Sequence, residues 1–236
     1  MTHMHIPDGV LPVWLWALGI LVMALSMGLS LHRLRGGDMK KQVPLLGALS
    51  ATMLVAMSLE IVPLAYHINL TVVTGILLGP ALGFVAAFIV NVMLALIGHG
   101  GITVLGLNTL LLGSEAVLGH TFFSLLGKRM PLFWRAAVAT VITLMITTGL
   151  LIGIVAVSNV NPAGFTEGHA QGADHDEGPI SVKRFAAMTL GLGAIGWIVE
   201  AAITGAVVRF MAQVKPDLLR HVLHTAQGGK KDRGAP

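Results

Sequence analysis

The sequence predicts an all-α fold, a polytopic membrane bundle of about seven helices, and three observations carry that reading. Of the 236 residues, 55% are hydrophobic and only 11% charged, whereas soluble domains carry about 25% charged residues. The mean hydropathy is +0.82. Apolar runs of roughly 20 residues, the length that crosses a bilayer as a helix, recur along the chain and are broken by short polar or Gly/Pro segments.

The first run, Leu11 to Leu31, ends in the basic stretch HRLRGGDMKK. The second covers Val43 to Val62, is closed by Glu60 and is followed by Pro63 and the polar break AYHIN. The third, Leu70 to Leu78, is short and stops at Gly79-Pro80, a helix-breaking pair, and the count of seven depends on whether 68–79 crosses alone. It is expected to be partly buried inside the bundle. The fourth covers Ala81 to Ile97 and ends at GHGG, and the fifth covers Leu105 to Leu126 and ends at GKRM. The sixth covers Leu132 to Val157 and the seventh Phe185 to Met211. Residues 1–212 therefore read as one bundle, with 1–10 and the polar loop 159–182 on one side. Residues 213–236 read as a tail on the other. Small-residue pairs at Gly47/Ala51, Ala201/Gly205 and Ala202/Ala206 have the spacing that lets helices approach closely. Packing within the bundle is the expected use of each.

Lys and Arg collect in cytoplasmic loops. With the N-terminus outside and seven crossings, the inner loops hold Arg33, Arg35, Lys40, Lys41, Lys128, Arg129 and Arg135. The C-terminal segment adds Arg209, Lys215, Arg220, Lys230, Lys231 and Arg233, so that of the 15 basic residues only Lys183 and Arg184 fall outside. The N-terminus, the turn with His67, the GHGG loop and the 159–182 loop then share the outer face, and the C-terminus is cytoplasmic. The net charge of +4 is a signature of orientation rather than of nucleic-acid binding. No secretory signal is expected, since no basic region precedes the first apolar run. The localisation expected is the plasma (inner) membrane, multi-pass.

The chain has no cysteine, so a metal site has to use His, carboxylates, Met or backbone atoms. The opening residues MTHMHIPDG hold such groups. If the chain starts at Met4, its amine, the His5 amide nitrogen and the His5 imidazole form one chelate. A deprotonated amide is a strong planar ligand, and the resulting geometry suits Ni²⁺ or Cu²⁺. A fourth nitrogen would close the plane, and His67 is the candidate. Three residues precede this motif, which leaves other registers open. Met1-Thr2-His3 places a His third, and loss of Met1 would leave Thr2-His3 as an amine-then-His pair.

MHIPDGVLP resembles the N-terminal signature of the substrate-binding subunits of energy-coupling-factor transporters for nickel and cobalt. The likeness runs on through VPLLGALSA (43–51), the His67 turn, GILLGPALGF (75–84), GGITVLGLN (100–108) and GWIVEAAITGAVV (196–208), covering about residues 4–210. The resemblance implies a seven-helix bundle and a metal site made of Met4, His5 and His67. It also implies partners: two ATPase subunits, a transmembrane coupling subunit and a small accessory membrane subunit. The spacing of Pro7-Asp8-Gly9 matches the family only when counted from Met4, which favours a Met4 start. The sequence departs from the family at GHGG, where relatives often carry an acidic residue in place of His99. His99 is either an added ligand or, as we read it, a solvated loop residue. Asp8, Asn108 and Glu200 are supporting candidates. Asn108 would cap or brace the outer loop, and Glu200 would serve hydrogen bonding or subunit coupling rather than ligation. Glu115, like Glu200, is a carboxylate inside an apolar run, a costly placement that marks a functional position.

The expected function is capture and import of Ni²⁺ or Co²⁺, nickel slightly favoured by the nitrogen-rich chelate. The chain has no GxxxxGK[ST] phosphate cradle, so ATP hydrolysis falls to partners. The competing class, a membrane metalloenzyme such as a zinc peptidase, would want HExxH, which is absent. His32, His67, His99 and His120 are too far apart to replace it locally. A simple metal channel would not explain a chelating N-terminus.

Overall fold

The computed structural model describes residues 6, 8–35, 39–59, 67–127, 130–158 and 181–216, without the side chains of 39–41. Seven helices and no strand occur among them: α1 Val13–Leu34, α2 Met39–Ser58, α3 Thr71–Leu78, α4 Pro80–Leu96, α5 Leu105–Leu125, α6 Leu132–Ser158 and α7 Val182–Val214. Three of these, α1, α6 and α7, are long and apolar enough to cross a membrane on length and composition alone.

The boundaries differ from the apolar runs where hydrophobicity and helix geometry part company. Charged ends join helices: α1 continues through His32 and Arg33, and α7 starts at Val182 and takes in Lys183 and Arg184. The Ser181 hydroxyl caps α7 by accepting the Arg184 N–H at 3.3 Å, a bond typical of helix starts. Helix α2 begins before Pro44, which lies inside it, and ends at Ser58 rather than at Val62.

Helix α5 is the hub, packing against α1, α3, α4 and α6, while α6 and α7 pair along their length. One end of the bundle is closed by an apolar cluster of Ile6, Leu11, Leu15, Val104, Leu107, Leu151, Val155 and Phe185, joining the starts of α1, α5 and α7 to the end of α6. Towards the opposite end, α3 packs with Phe123, Ala136 and Val208. Eight residues of helix rise only about 12 Å, so α3 cannot span a bilayer core of roughly 30 Å. All eight of its residues are buried, as the short third run led us to expect. Gly79 turns the chain from α3 into α4 at φ 83°, a left-handed conformation that suits glycine, and Pro80 starts α4.

The small-residue pairs divide. Ala201 and Gly205 are buried, with Gly205 against Phe133 of α6. Gly47, Ala51, Ala202 and Ala206 are exposed, and nothing lies within 4 Å of where a Cβ on Gly47 would stand. The expected intramolecular use therefore fails for Gly47/Ala51 and Ala202/Ala206, because their helix faces point out of the bundle. The closest helix contacts lie elsewhere, at Gly75 on α3 against the Ala116 backbone and at Gly106 on α5 against Gly19 and Ile20 of α1.

Candidate metal centre

Thr2, His3, Met4, His5 and Glu60 lie outside the described residues. The residues beside the opening motif are described, and they are anchored. Ile6 is fully buried in the apolar cluster at the start of α5, a burial worth about 1.5–3 kcal/mol for a side chain of this size. Its backbone is held on both sides. The Ile6 N–H donates to Asn108 Oδ1 at 3.0 Å, and Asn108 Nδ2 donates back to the Ile6 carbonyl at 3.2 Å. The Gly101 N–H reaches the same carbonyl at 3.3 Å.

Asp8 fixes the segment a second time. Its carboxylate accepts the Ile102 N–H at 2.9 Å, the Thr103 N–H at 2.8 Å and the Thr103 hydroxyl. These donors sit just before α5, where an anion is favoured by the helix dipole and unsatisfied amides. The Thr103 hydroxyl is the main cause that holds the Asp8 carboxyl below its ordinary value of 3.8; burial opposes it, and the Thr103, Ile102 and Val104 amides add to the lowering. A Cβ on Gly101 would stand 2.5 Å from Asp8 Oδ1, so the GGITV loop needs glycine there to admit the carboxylate. Both Asp8 oxygens are thus occupied by docking the N-terminal segment.

His67 is half-buried and lies two residues before Asn69, the centre of a buried polar network. The Asn69 N–H donates to Glu200 Oε1 at 3.2 Å, and its side-chain amide donates to Glu115 Oε2. Asn69 Oδ1 accepts the Thr71 N–H at 2.8 Å and the Thr71 hydroxyl, capping the start of α3. The Thr147 hydroxyl donates to Glu115 Oε1 at 3.2 Å. Glu115, Thr147 and Glu200 lie near the midpoints of α5, α6 and α7, so α3 begins at mid-depth in the bundle. Glu115 accepts a hydrogen bond at each oxygen and Glu200 accepts one at Oε1, as burial requires of polar groups.

Asn108 and Glu115 are seven residues apart on α5, about 10 Å along its axis and about 20° short of two full turns. They share one face. The residues flanking both halves of the predicted site, Ile6 after His5 and Asn69 after His67, are therefore tied to the same stripe of one helix.

His99 is exposed, and its backbone N–H bonds the Leu94 carbonyl at 2.8 Å to finish α4. His120 is half-buried, with Nδ1 at 3.2 Å from the Gly75 carbonyl. Among the described residues no group of three or more His, Asp or Glu side chains is close enough to hold a metal. Sequence reasoning missed Asn69, Thr71 and Thr147. Asn-Leu-Thr ahead of an apolar run carries the helix-start signal that would have found the first two. Nothing local marks Thr147.

A profile of the family CbiM, described as the cobalt uptake substrate-specific transmembrane region, matches residues 5–218. The chain belongs to the CbiM family. A CbiM relative from Haloquadratum walsbyi, named for metal transport, is 30% identical over 227 residues, 92% of this chain and 93% of its own length. A protein of Methanocorpusculum labreanum, named for a fused cobalt transport protein CbiMQ, is 35% identical over 162 residues. That match takes in 61% of this chain and 27% of the longer relative. The fold matches a solved transition metal transporter at a TM-score of 0.73 and 22% identity, covering 95% of this chain and all of that one. A truncated transition metal transporter matches at 0.69 and 20% identity, over 89% and 99%. This CbiM-family chain is a multi-pass membrane component of transition-metal uptake, a transport component rather than an enzyme. The metal in the family's description is cobalt.

Proposed function

We propose that the chain is the substrate-capture subunit of an energy-coupling-factor importer, taking a divalent cobalt or nickel ion from outside the cell. In this reading Met4 supplies its amine, His5 its amide and imidazole nitrogens, and His67 a fourth nitrogen. The observation that carries it is the double anchoring of Ile6, by Asn108 and by burial. A chelate built on a chain terminus loses conformational freedom on binding, and a docked neighbour lowers that cost. The family description favours Co²⁺ as the ion. The nitrogen-rich chelate binds Ni²⁺ at least as strongly in the usual divalent order, which makes nickel the competing substrate.

The N-terminus and residues 159–182 face outward, 1–212 form one bundle and 213–236 lie in the cytoplasm, in line with the distribution of Lys and Arg. Energy comes from two ATPase subunits through a transmembrane coupling subunit, with a small accessory membrane subunit completing the complex. This assignment is supported by the missing phosphate cradle here. Capture orders the N-terminal segment over the ion, and release breaks that order when the bundle tilts against its partner.

The test is intact mass and metal content of the native chain. A mass starting at Met4, about one bound Co or Ni per chain, and loss of binding in His5→Ala and in His67→Ala are expected. Retention of Met1 with full binding in His5→Ala would refute the ligand set. Active uptake that persists when the partner ATPases are disabled would refute the importer assignment.

A further inference from the structure

We propose that Asn108 and Glu115 are positioning residues for the metal, holding the two ligand-bearing segments in register along one face of α5. The inference rests on the ligand set above and adds what aligns it. Neither residue is offered as a ligand.

Two segments far apart in sequence have to meet at one ion. Each is secured to α5 next to its ligand, and by bonds of different kinds. Asn108 grips main chain: its amide oxygen accepts the Ile6 N–H and its nitrogen donates to the Ile6 carbonyl, at 3.0 and 3.2 Å. Such a pair fixes the direction of the peptide as well as its position, one residue beyond His5. Glu115 grips a side chain: Oε2 accepts from the Asn69 amide, two residues beyond His67, while Oε1 accepts from Thr147 on α6 at 3.2 Å. Asn69 is also held through its backbone by Glu200 of α7. The His67 segment is thus braced by three helices, and among the described residues α5 is the helix that also hydrogen-bonds the Ile6 backbone.

Close packing keeps the frame from giving. One residue after Glu115, the backbone of Ala116 lies against Gly75 of α3, where a Cβ would come within 2.1 Å of the Ala116 carbonyl oxygen. Two residues before Asn108, Gly106 lies against α1 as closely, with a Cβ at 2.5 Å from the Ile20 nitrogen. Neither contact has slack, so the spacing of the two grips is set by the rise of α5 itself. Groups that orient metal ligands without touching the metal typically cost about 10- to 100-fold in affinity when removed. The same range is expected here.

The experiment uses the full-length protein in detergent, with Co²⁺ as probe, read by equilibrium affinity, dissociation rate and the visible absorption of the bound ion. Asn108→Ala and Glu115→Gln should each weaken binding about 10- to 100-fold, chiefly through faster dissociation, keep one ion per chain, and alter the Co²⁺ spectrum. Asn108→Asp keeps the acceptor for the Ile6 N–H and loses the donor, so it should fall between wild type and Asn108→Ala. Thr109→Ala is the control. Thr109 is fully buried on the same helix with a hydroxyl that has no hydrogen-bond partner among the described residues. It should leave affinity and spectrum unchanged. Melting of the metal-free variants separates loss of fold from loss of register, and any variant that fails to fold is replaced by Asn108→Asp or Glu115→Asp. Unchanged affinity and spectrum in folded Asn108 and Glu115 variants, with binding abolished by His5→Ala and His67→Ala, would overturn the positioning role and leave the ligand set standing. Binding that survives both His substitutions would overturn the ligand set itself.

Discussion

At Asp8 a single carboxylate secures the segment that follows the proposed ligands to the loop before α5. Its bonds to Ile102 and Thr103 favour the ionised form, so the folded pKa lies below 3.8. The sign follows: a depressed carboxyl contributes its stabilisation above the unfolded value and loses it only as pH falls through the folded one. Docking of the N-terminal segment should therefore be constant from neutral pH to about pH 4.5. Amide exchange in the metal-free protein checks this. Corrected protection of Ile102 and Thr103 should be flat down to about pH 4.5 and fall below it, and Asp8→Asn should lower it throughout. A midpoint near pH 6 would assign the docking to histidine instead. Residue chemistry was only partly legible. Asp8, Asn108 and Glu200 stood out as polar groups in an apolar chain, yet their partners are 94, 102 and 131 residues away in sequence. No local pattern encodes such distances.

Among the elements, α3 carries the most consequence for its size. It is a buried half-length helix whose start is pinned at mid-depth by Asn69 and whose middle lies on the Ala116 backbone. Gly75→Ala should destabilise the protein by about 1–3 kcal/mol through overpacking and weaken metal binding with it, since Asn69 caps the displaced helix. Gly149→Ala, on an open face of α6 with nothing within 4 Å, should be neutral or slightly stabilising. Thermal melting with metal titration of the two variants decides it, and equal melting temperatures would show that α3 can shift off α5. The existence of all seven helices was legible because apolar runs are long and their breaks chemically plain. Their ends were not, because Lys183 and Arg184 continue a helix that hydropathy stops and Val62 continues a run that the helix leaves at Ser58.

For the whole molecule, orientation is the property on which capture depends. The chain has no cysteine, so single substitutions report cleanly. His99→Cys, exposed in the loop after α4, should react with a membrane-impermeant maleimide in intact cells. Met130→Cys, between α5 and α6, should react only after permeabilisation. The reverse pattern would place the N-terminus inside and move the proposed capture site to the wrong side of the membrane.

The sequence by itself determined that this chain lives in a membrane, that it is helical, and which family its opening motif and later segments resemble. These are properties of composition and of short contiguous stretches, where each residue's neighbours are given by the chain. Only the tertiary structure decided that α5 is the hub, that α3 stops at mid-depth, and that Asn108 and Glu115 face the same way, one holding Ile6 and the other Asn69. The reason is physical. A buried polar group has to find a partner, but which partner is set by helix packing, and at Gly75 and Gly106 that packing depends on which backbones happen to touch.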